Sequence, residues 1–288
     1  MMNNKVGIIG AGFVGTAVEE GLQLIADIMV HDKFKNSYSL KTVVDECEIL
    51  FLCLPTPMDK DGSCNISILE EVVDQINQIA IKRKSLVIKS TVTPGTTRGF
   101  SVAYPSHTFI FCPEFLTEKN FINDFLEQDR IFLGTVKDSN RADVGRVIRL
   151  FKKFTEIQKS PADIYEYDSK DVEMLKYVTN SFLATKVSFF NEIYEICKAS
   201  DINYDMVINM LLKDKRVGKS HLMVPGHDGN RGYGGSCFPK DINGLRAFAE
   251  SLEIDALMLE AAWSKNLMVR EKYDWEKLAQ VTGNYKKK

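Results

Sequence analysis

The stretch "KVGIIGAGFVGTAVEEGL" constrains this chain more than any other, because it sets Gly10, Gly12 and Gly15 in G-x-G-x-x-G spacing between a strand-like run and a helix-like one. Glycine at the first position permits a tight turn, at the second lets a pyrophosphate approach the backbone, and at the third packs the helix closely on the sheet. The helix then offers unpaired N–H groups and the positive end of its dipole to an anion. The motif alone is a weak signal. A second strand-like run, "IADIMVHD", ends in Asp32 at about the 20-residue spacing at which a carboxylate accepts the hydroxyls of an adenosine ribose. The pair predicts a dinucleotide site. Asp32 would repel a 2′-phosphate, so NAD is expected rather than NADP, a preference that Lys33 and Lys35 weaken without reversing.

The runs "CEILFLCLP", "SLVIKST", "TFIFCPE" and "RIFLGT" continue the strand pattern, with helical patterns between several of them, notably over 68–81. Such alternation predicts an α/β fold, a Rossmann-like doubly wound parallel sheet covered on both faces. From Asp168 the character changes. "DSKDVEMLKYVTNSFLATKVSFFNEIYEICKAS" contains no proline or glycine and has a candidate N-cap at Asp168 or Ser169. Val172, Leu175, Val178, Phe182, Val187, Phe190, Ile193 and Cys197 wrap around much of that helix, too widely for one wet face, so it is expected to be buried, in part against another subunit. A shorter helix over Tyr204–Leu212, a glycine-rich loop over 217–235 and a helix pair over 241–269 complete the chain. The predicted organisation is a dinucleotide-binding domain over 1–165 and a central helix with an all-helical domain over 166–288.

A formal net charge of −2 argues against electrostatic capture of nucleic acid or an anionic membrane. No apolar run approaches the roughly 20 residues of a membrane span. The six cysteines have neither disulfide-framework nor zinc-site spacing. A reducing, cytoplasmic setting is therefore expected. His221 and His227 lack a matched third ligand, so no metal is predicted.

The chemistry concentrates elsewhere. In "GYGGSCFPKD" Cys237 follows a flexible turn and precedes Lys240, whose charge would lower a thiol pKa; against this, cysteine is a commonly buried residue and a lone one most often just packs. Lys176 and Asn180 stand i, i+4 on the long helix, sharing a face, and an ammonium and an amide aimed at one point stabilise an oxyanion. Glu114 and Glu118 in "CPEFLTE", with Ser90 and Thr91 in "KSTVTPGTT", follow strands at the sheet end where open α/β folds bind ligands.

These segments, with "LCLPTP" and "KRVG", occur in an order that resembles the UDP-glucose/GDP-mannose dehydrogenase family over nearly the whole chain, "GYGGSCFPKD" being the most specific match. The resemblance implies NAD-dependent oxidation of a sugar C6 alcohol to a carboxylate in two hydride transfers. It assigns Cys237 as the thiolate that captures the aldehyde, Lys176 and Asn180 as oxyanion stabilisers, and Glu114 as general base for hydrolysis. Thr91 and Asp241 would hold the attacking water. Gly10, Gly12, Phe13, Val14, Gly15, Asp32, Thr56, Thr91, Glu118 and Lys240 are the implied cofactor residues. Phe115, Tyr233 and Gly234 join Glu114, Glu118, Lys176 and Asn180 on the substrate side, and Arg216 matches a position that reaches a neighbouring subunit's substrate; the loop "HLMVPGHDGNRGYGG" is longer than the family's, and its His227, Asp228 and Arg231 are candidate phosphate ligands. A homodimer through the long helix follows from the same resemblance.

Family members run beyond this chain's length into a third domain that holds part of the nucleotide, which leaves the sugar nucleotide open, with UDP-glucose the first expectation. Two rivals stand beside this reading. One is a two-electron dehydrogenase of the 3-hydroxyacid or 6-phosphogluconate type, which also uses a lysine on a central helix but has no use for a thiol. The other is a relative that binds NAD without turnover.

Overall fold

Strands β3 (Ile49–Leu52), β4 (Ser85–Ile88) and β5 (Thr108–Phe111) are buried at every position, as their unbroken apolar runs require of a sheet covered on both faces. Alternate residues sort to opposite sides: Phe51, Val87 and Ile110 join one apolar cluster, and Leu50, Leu86 and Phe109 the other. Together with β1 (Lys5–Ile9), β2 (Asp27–His31), β6 (Arg130–Thr135) and β7 (Asp163–Asp168) they form a seven-stranded sheet in the order β2-β1-β3-β4-β5-β6-β7. One face is covered by α1 (Phe13–Leu22), α5 (Phe121–Leu126) and α6 (Arg141–Glu156), the other by α2 (Leu40–Glu46), α3 (Ser67–Ile79) and α4 (Thr96–Ala103).

The strands through β5 are parallel, as the alternation predicts, and β6 enters antiparallel to β5 before pairing in parallel with β7. The sheet is thus a mixed Rossmann-like one. β7 gives no apolar signal because most of it is exposed at the sheet edge. Helix α7 (Ser169–Ala199) follows at once, and the Asp168 carboxylate accepts the Lys170 N–H at 2.9 Å, as an N-cap does.

The computed structural model describes residues 5–158 and 161–283. It divides within α7: one unit holds the described residues to Thr56 and Ile66–Lys176, the other Pro57–Asn65 and the chain from Tyr177 on. The second unit contains most of α7, α8 (Tyr204–Leu211), α9 (Phe238–Ser251), α10 (Leu257–Val269), a single 3-10 turn at Asp274–Lys277 and α11 (Ala279–Thr282). Its apolar clusters centre on Phe190, Tyr204 and Leu222, and on Ala184, Tyr233, Ile242 and Ala262. The segment 57–65, inserted between β3 and α3, belongs here because the Met58 N–H donates to the Val281 carbonyl at 2.8 Å and Gly62 packs on Asn243 of α9. No described helix is long and apolar enough to cross a membrane.

Candidate active site

In the first unit the chain leaves β1 through Gly10 at φ +97°, where an added Cβ would lie 2.3 Å from the Cys53 carbonyl oxygen. Gly15 presses on this turn so closely that its Cβ would stand 1.9 Å from the Gly10 oxygen. Gly12 differs: nothing lies within 4 Å of the place its Cβ would occupy, and no side chain caps the start of α1. Open backbone at a helix N-terminus fits a pyrophosphate. Val14 packs into the core, whereas Phe13 is exposed and meets Phe121 edge-on at 5.3 Å.

Asp32 accepts the Ala11 N–H through Oδ2 and the Phe34 N–H through Oδ1, both at 2.8 Å. These bonds hold its carboxylate at a cleft of about 490 Å³ whose lining includes Ala11, Val30, Lys35 and Tyr38. The Lys35 ammonium donates to the Ala11 carbonyl at 2.5 Å, which ties it to the glycine loop.

At the other strand ends, Ser90 donates to the Leu54 carbonyl at 2.6 Å and Thr56 to the Thr91 carbonyl at 2.8 Å, so the segments after β3 and β4 are stitched together. Beyond β5, Glu114 meets α7. The Lys176 ammonium donates to the Glu114 backbone oxygen at 2.6 Å and to Oε1 at 2.9 Å, and the Leu116 N–H reaches Oε2 at 2.7 Å. Burial by itself would push the Glu114 carboxyl up, but Lys176, the Leu116 N–H and Lys89 outweigh it and hold it below the usual carboxylate range. The group is therefore ionised at neutral pH, as a general base must be. Lys176 also lies 5.5 Å from the centroid of the Phe115 ring. Glu118 is exposed.

In the second unit Cys237 is the N-cap residue of α9, half-buried, with the Ser236 hydroxyl 3.7 Å from its sulfur. One turn on, Lys240 pairs with the buried Asp241, and the Asn180 amide donates to the other Asp241 oxygen at 2.5 Å. Burial would lower the Lys240 pKa, but Asp241, Cys237 and Cys64 raise it above the ordinary lysine value. Lys240 therefore stays protonated, one turn from Cys237, with its charge shared with Asp241. Cys47, Cys53, Cys112 and Cys197 are buried as core, while Cys64 is only partly so. Burial pushes Cys47 up to about 11 and Cys53 up to about 12, and raises Cys112 as well.

The glycine loop before Cys237 is held by residues that sequence reasoning missed. Asn266 accepts the Tyr233 N–H at 2.7 Å and donates to its carbonyl at 3.0 Å. Gly234 lies so close to Arg270 and Asp274 that a Cβ would meet their polar atoms at 2.3 and 2.2 Å. Arg231 donates to Glu195 at 2.6 Å and lies over the Tyr194 ring, while Arg216 is exposed and paired with Asp214. In the first unit the missed residue is Lys89, buried beneath the Glu114 loop with its ammonium on the Pro113 carbonyl at 3.1 Å. Its signal was a lysine closing an otherwise apolar strand; Asn266 and Arg270 carried none. Among the described residues no group of three His, Cys, Asp or Glu is placed to hold a metal ion.

Comparison with known proteins agrees with both halves of this arrangement. Residues 16–155 match the NAD binding domain of the UDP-glucose/GDP-mannose dehydrogenase family, and residues 170–267 match that family's central domain. The UDP-glucose 6-dehydrogenase YwqF of Bacillus subtilis (strain 168) is 34% identical over 243 residues, which cover 81% of this chain and 51% of that protein. The UDP-glucose 6-dehydrogenase of Rickettsia bellii (strain RML369-C) is 32% identical over 245 residues, covering 82% of this chain and 53% of that one. The chain thus spans about half the length of these curated relatives. In fold it is similar to a UDP-glucose dehydrogenase from Pyrobaculum islandicum, with a TM-score of 0.80 at 23% identity over 92% of this chain and 68% of that one.

Proposed function

Because the chain belongs to the UDP-glucose/GDP-mannose dehydrogenase family, with that family's NAD-binding and central domains, we propose that it oxidises the C6 alcohol of a nucleotide sugar to the carboxylate, UDP-glucose being the first candidate. NAD, when bound, supplies the oxidant by accepting a hydride in each of two steps. Gly10, Gly12, Gly15 and Asp32 would hold it, with the backbone of Phe13 and Val14 at the pyrophosphate.

Lys176 and Asn180 stabilise the oxygen anions that form at C6. An aldehyde has no hydride to give up on the way to an acid until a nucleophile has made its carbon tetrahedral. The Cys237 thiolate adds to that carbon, the adduct loses hydride and proton to become a thioester, and water cleaves the carbon–sulfur bond and returns the thiol. Glu114 takes the proton from this water, which Thr91 and Asp241 hold. The observation that carries the reading is Cys237 itself: an N-cap thiol beside a charged lysine, in a protein whose core cysteines are pushed upward by burial. The two-electron rival leaves that arrangement without a task.

The active form in this reading is a homodimer through α7. Val178, Phe182, Phe189 and Ile196 are large, apolar and each about half or more exposed on that helix, with the last three at heptad spacing. Exposed Arg216 then has a neighbouring subunit to reach.

The test is stoichiometry. Supplied with UDP-glucose, a UDP-N-acetyl sugar or GDP-mannose, the protein should form two NADH per sugar oxidised, and Cys237→Ser should stop short of the acid. One NADH per sugar, or tight NAD binding with no turnover on any of the three, overturns the proposal.

A further inference from the structure

Glu173 lies one turn before Lys176 on α7 and none of its contacts is to a group assigned a chemical role, yet it is fully buried. A carboxylate in such a place must be held by strong hydrogen bonds. Its Oε2 accepts the Gly95 N–H at 2.6 Å and its Oε1 accepts the Thr97 N–H at 2.8 Å. Both donors belong to the start of α4, whose N-cap residue is Gly95, at φ 103°, with no side chain to cap the helix. The cap that α4 lacks in its own sequence comes from α7.

This bond pattern joins two elements that the reaction uses together. The segment "STVTPGTT" runs from β4 into α4 and carries Thr91. At its start Ser90 is bonded to Leu54 and the Thr91 carbonyl to Thr56. Toward its end Thr96 folds back on the Thr93 carbonyl through both N–H and hydroxyl. Glu173 fastens that end to the helix turn that bears Lys176, and Lys176 in turn holds Glu114. We propose that Glu173 is a positioning residue, whose carboxylate locks the Thr91 segment to α7 so that Thr91, Lys176 and Glu114 keep a single mutual arrangement. The inference rests on the roles given above to those three residues, and it adds a fourth that touches no reactant.

Glu173→Gln in the full chain tests it. The amide keeps the shape and one acceptor but turns an NH2 toward one of the two N–H donors. Hydrogen exchange of the 90–98 segment should accelerate by about tenfold or more, because its anchor is weakened. With the nucleotide sugar that the wild type turns over, kcat should fall by roughly 10- to 100-fold, as slight misplacement of reacting groups does. KM for the sugar and the NAD dissociation constant should each change clearly less than kcat, since most of the groups assigned to bind them, Gly10, Gly12, Gly15 and Asp32 on the cofactor side and Phe115, Tyr233 and Gly234 on the sugar side, are not held by Glu173. Glu173→Asp, a carboxyl on a shorter stem, should lie between the two, and carries the same comparison if the Gln variant does not fold. Unchanged exchange overturns the inference. So does faster exchange with an unaltered kcat, or equal loss in kcat and NAD affinity, which would mark a merely structural residue. Absence of turnover in the wild type would instead refute the functional reading, so the two failures are distinguishable.

Discussion

Replacing Lys176 by Met should destabilise the protein at neutral pH and do so less as the pH falls. The Lys176 and Glu114 side chains are 4% and 10% exposed, and removing one partner of such a buried ion pair costs about 3–5 kcal/mol, because the other charge stays buried without it. Methionine fills the lysine's volume, so little of the loss is packing. In the wild type the Glu114 pKa is depressed, so its contribution is fully present above the unfolded-state value, near 4.3 for a glutamate, and is lost only as pH falls through the lower folded value. Between pH 7 and 5 that contribution is flat. Without Lys176, burial becomes the dominant influence, opposed by Lys89 and the Leu116 N–H, and the folded pKa of Glu114 moves above its unfolded one. The sign then inverts: the penalty is present at neutral pH and is relieved as pH falls through the raised value. The gap between wild type and variant should therefore close at up to about 1.4 kcal/mol per pH unit within that window. Urea denaturation followed by far-ultraviolet circular dichroism measures it. Trp263 and Trp275 both lie in the second unit, so their fluorescence reports that unit separately. Combining Lys176→Met with Glu114→Gln should remove the pH dependence and recover part of the stability. A gap that is constant from pH 7 to 5 refutes the argument, because it would mean that Glu114 is not held ionised by Lys176.

Two further outcomes follow from the same structure. Asp32→Asn keeps the loop hydrogen bonds in outline but removes the charge, so NAD affinity should drop by about tenfold and discrimination against NADP should shrink, as cofactor titrations would read; unchanged discrimination would mean that Asp32 does not face the ribose. If the proposed dimer forms through α7, charging its exposed stripe with Phe182→Glu and Phe189→Glu should give a monomer in sedimentation velocity, and a variant that stays dimeric would place the interface elsewhere.

What the amino-acid order reveals here depends on whether a residue's role is enforced by its own neighbours along the chain. The strands of the central sheet are legible because burial on both faces demands unbroken apolar runs, and Gly15 because a single added methyl would strike the Gly10 carbonyl within the same motif; Gly10 is read from its spacing, although what it clears is the distant Cys53 carbonyl. Cys237 is legible from its setting in "GYGGSCFPKD" but not as an N-cap, because the pattern starts the helix at 241 whereas α9 begins at Phe238. β7 is not, since an exposed edge strand needs no apolar pattern, and the turn of β6 against β5 is decided by where the connection over 112–129 delivers the chain. Segment 57–65 is equally silent: its membership of the second unit is set by Met58 and Gly62 meeting residues far along the sequence. Glu173 shows the same limit at the candidate site. Read locally it is an acidic residue in the second turn of a helix, indistinguishable from a solvated one, and only the two N–H groups brought to it from α4 explain why a carboxyl group is tolerated at full burial, where desolvation pushes its pKa up and those N–H groups pull it back. Groups that would touch the reactants therefore announce themselves through motif spacing, whereas the groups that hold them in place are visible only once distant segments have met.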